Sequence, residues 1–195
     1  MRASTGALED PPHRHLDEAP HGHSLSQYRL LGQSGLRVSP LCLGTMHLAD
    51  PAMIDKATAR RVVERFVDLG GNFFDTSPLD ERGTSEAWLG EFLMQHRSRA
   101  VIATKYGGCT DPKDPNSGGN HRKCLVQSLD ASLRRMGTPY VDLLLVHIWE
   151  HRTPIEVLHH LGSDRAYTPH PRAHPLPRAL RVRERLFPTV AELPP

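Results

Sequence analysis

Between Tyr28 and about Leu161, short runs rich in branched apolar residues alternate four times with segments whose apolar residues recur at helical spacing. Consecutive parallel strands need a crossover between them, and an amphipathic helix that buries one stripe on the sheet is the usual one. The alternation therefore predicts βα units around a parallel sheet.

Residues 41–46 form the first expected strand, and Ala59, Val62, Val63, Phe66 and Leu69 follow at helical spacing before a Gly70-Gly71 stop. The second strand covers residues 72–76. Ser85 is the expected cap of a helix whose Trp88, Leu89, Phe92 and Leu93 share one face, and residues 100–105 form the third strand. Leu125, Val126, Leu129, Leu133 and Met136 mark the next helix, which Gly137 ends. A continuous apolar run over residues 141–148 is the fourth strand, and Thr153-Pro154 opens a fourth helix through Ile155, Val157 and Leu158. Ahead of these units, residues 28–31 and 36–39, joined by Gly-Gln-Ser-Gly, read as a small hairpin.

The flanks lack this pattern, which divides the chain into a tail (1–27), a folded region (28–161) and a second tail (162–195). The first is rich in Pro, His, Asp and Glu and is expected to be disordered. Its His13, His15, His21 and His23 have H-x-H spacing, but an unstructured segment supplies no ligand geometry, so no metal site is assigned. In the last segment Pro and Arg dominate residues 169–185, no fifth strand can be drawn, and a short helix over 179–186 lacks an apolar face to match its arginines.

Charge and cysteine content remove several classes of function. A formal net charge of +2 offers no clustered basic face for nucleic acid or an anionic membrane. No apolar run approaches the ~20 residues of a membrane helix. Cys42, Cys109 and Cys124 are odd in number and widely spaced, which implies neither a disulfide framework nor a zinc knuckle and fits a reducing cytoplasm.

Three titratable residues share one topological position: Asp75 after the second strand, Lys105 at the end of the third and His147 near the end of the fourth. Singly, each has an ordinary reading, as a turn carboxylate, a solvated lysine and a core histidine. Together they lie where parallel barrels build their sites, at the C-terminal strand ends.

Five collinear segments carry a more specific signal: Y-R-x-L-G-x-S-G-L-x-V-S-x-L-x-L-G-T-M (28–46), G-G-N-F-F-D-T (70–76), S-E-x-W-L-G (85–90), V-I-A-T-K-Y-G (101–107) and H-I-W-E-x-x-T-P-I-E (147–156). In order and spacing they resemble aldo-keto reductases, (β/α)8-barrel oxidoreductases. The resemblance implies hydride transfer from NADPH to a small aldehyde or ketone, with a tyrosine as proton donor. It also implies that Asp75 pairs with Lys105, that Lys105 tunes the tyrosine, that His147 orients the carbonyl, and that Thr45, Met46 and Asp75 border the nicotinamide end of NADP(H).

The chain departs from the family at two places. The family's D-T-A-D-x-Y-G-x-G-x-S-E aligns without gaps on residues 75–86 and puts Asp80 at the tyrosine. A carboxyl group with an ordinary pKa of about 3.9 is ionised at neutral pH, and Lys105 alone would push it lower. Tyr106 neighbours Lys105 on a strand and is expected on the opposite face. The second departure is that barrel enzymes commonly hold phosphate after strands seven and eight, and this pattern stops at strand four. The expected fold is α/β, a half barrel of about four βα units whose open edges favour self-association. The expected function is an impaired carbonyl-reducing oxidoreductase, or alternatively a noncatalytic interaction module or decayed fragment that pairs through the open half barrel.

Overall fold

The computed structural model describes residues 25–154. Residues 1–24 of the first tail, the expected fourth helix from Ile155 on and the Arg- and Pro-rich ending lie outside the described residues. The elements run β1 (Arg29–Leu30), β2 (Arg37–Val38), β3 (Leu43–Gly44), α1 (Lys56–Asp68), β4 (Phe73–Asp75), α2 (Thr84–Leu93), β5 (Val101–Tyr106), α3 (Arg122–Met136) and β6 (Leu143–Val146). β1 and β2 pair antiparallel as the expected hairpin. β3, β4, β5 and β6 form one parallel sheet in sequence order.

The helices cover one face of this sheet. Ala59 and Val63 of α1, Leu89, Phe92 and Leu93 of α2, and Leu129 and Met136 of α3 pack with Phe74 and Ile102 of the central strands. Phe74 and Ile102 alternate with Asp75 and Ala103, so the opposite face carries Asp75, Ala103 and Lys105 toward the barrel interior. Ala59, Val63 and Phe66 of the expected α1 stripe face the core and Val67 joins them, whereas Val62 and Leu69 are exposed.

Capping accounts for where the helices begin and end. Asp55 Oδ1 accepts from Thr58 N at 2.8 Å to start α1, and His121 Nδ1 accepts from Cys124 N at 3.2 Å to start α3. Gly137 takes the left-handed conformation that closes α3, as expected. Ser85 is not a cap. A tight turn through Asp80–Gly83, with Glu81 and Arg82 at positive φ, delivers the chain to α2 early, so Gly83 is the cap residue and Ser85 is buried in the first turn.

β3 and β6 are also shorter than the apolar runs that contain them. The β4 strand pairs with β3 over two residues only, and β6 follows β5 only from Ala103 to Tyr106. The expectation of a buried fourth strand is also corrected: β6 is only half-buried and its Val146 is exposed, because β6 is the outer strand of the described sheet.

One buried ion pair joins three elements. Glu86 of α2 is wholly buried, accepts from Thr104 Oγ1 of β5 at 2.6 Å and pairs with Arg135 Nε of α3. At the N-terminal end of the sheet, Asn72 Oδ1 accepts from Ser39 N at 2.7 Å and its Nδ2 donates to Arg37 O at 3.1 Å. These bonds hold the hairpin across the closed end and leave the C-terminal strand ends as the open mouth. Among the described residues, no helix is long and apolar enough to cross a membrane.

Candidate active site

Hydrogen bonding continues past the strands toward the mouth: Thr45 N donates to Asp75 O at 2.9 Å, Thr76 N to Ala103 O at 3.0 Å, and His147 N to Tyr106 O at 2.8 Å. The residues that end each strand are thereby held in one row. Thr45 and Met46 follow β3, Asp75 ends β4, Lys105 is next to last in β5, and His147 follows β6.

The expected acid–amine pair is formed. Lys105 Nζ lies 2.6 Å from Asp75 Oδ2 and 3.0 Å from Thr76 O. Its side chain is only 18% exposed, against 35% for Asp75, so the lysine is a held ammonium and not a solvated strand end. His147 is partly buried, and its Nδ1 lies 3.5 Å from Ser77 Oγ, at the long end of a hydrogen bond. Ser77 is itself buried and its Oγ accepts from Leu79 N at 3.0 Å, which joins the loop after β4 to the imidazole.

Asp80 sits on that same loop, where Lys105, His147, Asp75 and the Ser77 hydroxyl all act on its charge. Lys105 acts downward on the Asp80 pKa as expected, but the expectation that this pKa lies below the ordinary range is corrected. The Asp80 pKa is raised: burial is the largest influence, Asp75 adds to it, and Lys105, Ser77 and His147 lower it by less than these two raise it. Because a folded-state pKa above the unfolded value stabilises the protonated protein, this contribution is full below about pH 3.9 and is lost as pH rises through the folded value. Asp80→Asn is therefore expected to raise stability at pH 7, and the gain should shrink on acidification. Urea unfolding across this range checks it, and a gain that grows toward low pH would contradict the burial account.

Tyr106 faces away from the mouth, as its strand position implies. It is buried, and burial together with Cys124 pushes its hydroxyl up to about 12, which disqualifies it as a substitute proton donor. Thr45 is also turned inward: its Oγ1 donates to Asp75 O at 3.2 Å, so it braces the strand end. Met46 is exposed beside it.

The structure adds Cys42 and Asn120 to the residues around this mouth. Cys42 keeps part of its surface open, yet partial burial and the Asp75 carboxylate push its thiol up to about 11 against the opposing influence of Lys105. Asn120 is wholly buried; its Nδ2 donates to Ile148 O at 2.8 Å and its Oδ1 accepts from Glu150 N at 3.0 Å. It clamps the segment that follows His147 to the loop after β5. Cys42 was legible only as a neighbour of Gly44 on the inner face, and Asn120 had no local sequence signal.

The family's dinucleotide fits these residues only in part. Met46 is exposed and Asp75 partly so, whereas Thr45 is buried, and a pyrophosphate needs free backbone N–H groups, most readily at a helix N-terminus. The α1 and α3 N-termini are filled by Asp55 and His121, and α2 carries the buried Glu86 carboxylate in its first turn. Among the described residues, the phosphates have no cradle. Nor does any group of three or more His, Cys, Asp or Glu among them have the spacing to hold a metal ion.

Comparison with known proteins follows this geometry. The sequence model described as "Aldo/keto reductase family" matches residues 40–164. Norsolorinic acid reductase stcV of Emericella nidulans is 44% identical over 161 residues, covering 73% of this chain and 42% of that protein. Aryl-alcohol dehydrogenase GME11368 of Pestalotiopsis microspora is 39% identical, covering 71% of this chain and 39% of that protein. Among solved structures, the holo form of aldo-keto reductase AKR11C1 from Bacillus halodurans superposes with a TM-score of 0.61 at 30% identity, covering 69% of this chain and 44% of that one. The chain spans about two fifths of the length of the curated relatives it matches.

Proposed function

This chain belongs to the aldo-keto reductase family, and from that premise we propose that its mouth is the carbonyl side of an NADP(H)-dependent oxidoreductase site whose proton donor has been replaced by Asp80. The observation that carries this reading is the Lys105 ammonium held 2.6 Å from Asp75, with Lys105 and His147 both in electrostatic reach of Asp80.

In this reading Asp75 keeps Lys105 charged and aimed. His147 donates a hydrogen bond to the substrate oxygen as negative charge develops there. NADPH, when bound, supplies the hydride, and Thr45 and Met46 border its nicotinamide. The substrate is a small aldehyde or ketone. Relatives named as a norsolorinic acid reductase and an aryl-alcohol dehydrogenase support an aryl carbonyl, as do the exposed Ile148 and Trp149 next to His147. The three free thiols support a reducing cytoplasm as the working compartment.

Turnover by this chain is impaired at two points. A carboxyl group is a poorer proton donor at neutral pH than a phenol, which keeps its proton to about pH 10. The second point is that, among the described residues, no phosphate cradle is formed. The expected result of titrating NADPH into the 195-residue chain, followed by its fluorescence, is no saturation up to about 1 mM, the weak end of ordinary enzyme KM values. Saturable binding in the micromolar range would overturn the impairment. Among the described residues β3 and β6 have one strand neighbour each, which favours a second reading, a noncatalytic interaction module that pairs through its half barrel.

A further inference from the structure

Taking position 80 and Lys105 as partners in the proposed site, we propose that the buried Glu86–Arg135 ion pair is a positioning pair for the mouth. Through it α3 fixes the turn that carries Asp80 and the strand end that carries Lys105 relative to one another.

The turn is held from both ends. Ahead of it, the Ser77 carbonyl accepts from Asp80 N at 3.2 Å and the Ser77 hydroxyl accepts from Leu79 N at 3.0 Å. Behind it, Gly83 is buried at a φ of 88° and lies so close to Arg135 that a β-carbon there would sit 2.5 Å from Cδ and 2.7 Å from Nε of that side chain. Between these anchors Glu81 and Arg82 take φ of 44° and 54°, a left-handed conformation that residues other than glycine hold only where their surroundings impose it. Both residues are exposed, which leaves the fixed ends of the turn to impose it.

Arg135 is itself tied down. Its Nε pairs with Glu86 Oε2, and its Nη2 donates to Ser132 Oγ at 3.2 Å. The other oxygen of Glu86 accepts from Thr104 Oγ1 at 2.6 Å, and Thr104 is the buried residue before Lys105 in β5. One line of contacts therefore runs from Gly83, just beyond Asp80, through Arg135 and Glu86 to the strand residue that adjoins Lys105. Side chains alternate along a strand, so Thr104 meets the helices while Lys105 meets the mouth, and the pair acts on the ammonium through the strand. A Coulomb interaction falls with distance, so a turn that drifts from this strand end weakens the hold of Lys105 on position 80.

Ultraviolet titration of the phenol in the full chain carrying Asp80→Tyr tests the pair. Glu86→Gln with Arg135→Met removes one charge of each sign, which leaves the net charge unchanged while the turn loses its tie. Asp75 and His147, which also act on position 80, are present throughout and drop out of the differences. The expected result is a phenol midpoint raised by about 0.5 unit or more while Lys105 is present, and no change once Lys105→Met is in place. A purely structural role would move the midpoint equally in both backgrounds. That outcome, or no movement in either, overturns the proposal and leaves the site reading standing if Lys105→Met alone still raises the midpoint. If Lys105→Met alone has no effect, the site reading fails and the proposal with it. Should the charge-removing variant fail to fold, Gly83→Ala decides by the same cycle, because its methyl group meets Arg135 and displaces the turn with both charges retained.

Discussion

Arg135→Met is expected to lower the stability of the fold by about 3–5 kcal/mol, because it strands the carboxylate of Glu86 in the interior without its counter-ion. Glu86 has no exposed surface, and after the substitution only the Thr104 hydroxyl at 2.6 Å would remain to hold its charge. The reverse loss is milder: Glu86→Gln leaves an arginine whose side chain is 30% exposed and partly reached by water. Adding Glu86→Gln to Arg135→Met removes the stranded charge and should recover most of the loss. The size matters because a domain's whole stability is about 5–15 kcal/mol, so Arg135→Met alone brings this one near its limit. Urea unfolding of the four proteins measures the cycle. A loss under about 1 kcal/mol for Arg135→Met, or no recovery in the double variant, would show that the pair is solvated and not structural.

The order of strands and helices was readable because it depends on local periodicity: the stripe of α3, its Gly137 stop and the apolar run holding β6 are each written in a few consecutive residues. The gathering of Asp75, Lys105 and His147 was readable for a different reason. All three end parallel strands, so topology brings them together without knowledge of any contact. Pairings set by packing were not legible. Glu86 finds its partners 18 and 49 residues away, and Asn120 clamps a segment 28 to 30 residues on. The acidity of Asp80 failed as an expectation for the same cause. The influence of Lys105 could be read from the alignment, but the burial that exceeds it is a property of the folded loop.

In the proposed site Lys105 lowers the pKa of whatever group occupies position 80, against the burial that raises it, as the family's chemistry requires of its proton donor. Asp80→Tyr places a phenol there, longer than the carboxylate it replaces and aimed at the same ammonium. Two influences then compete. Burial, which raises the Asp80 pKa, also raises a phenol's, whereas a cation within about 4–6 Å lowers it by about 1–3 units. The absolute value mixes the two, but adding Lys105→Met removes only the second. The decisive measurement is the ultraviolet titration of the introduced phenol, taken as the difference spectrum against the parent chain, in Asp80→Tyr and in Asp80→Tyr with Lys105→Met. The expected result is a midpoint at least 1 unit higher in the double variant. Coincident midpoints would mean that Lys105 does not act on position 80, and would contradict the assignment of this mouth as an aldo-keto reductase site.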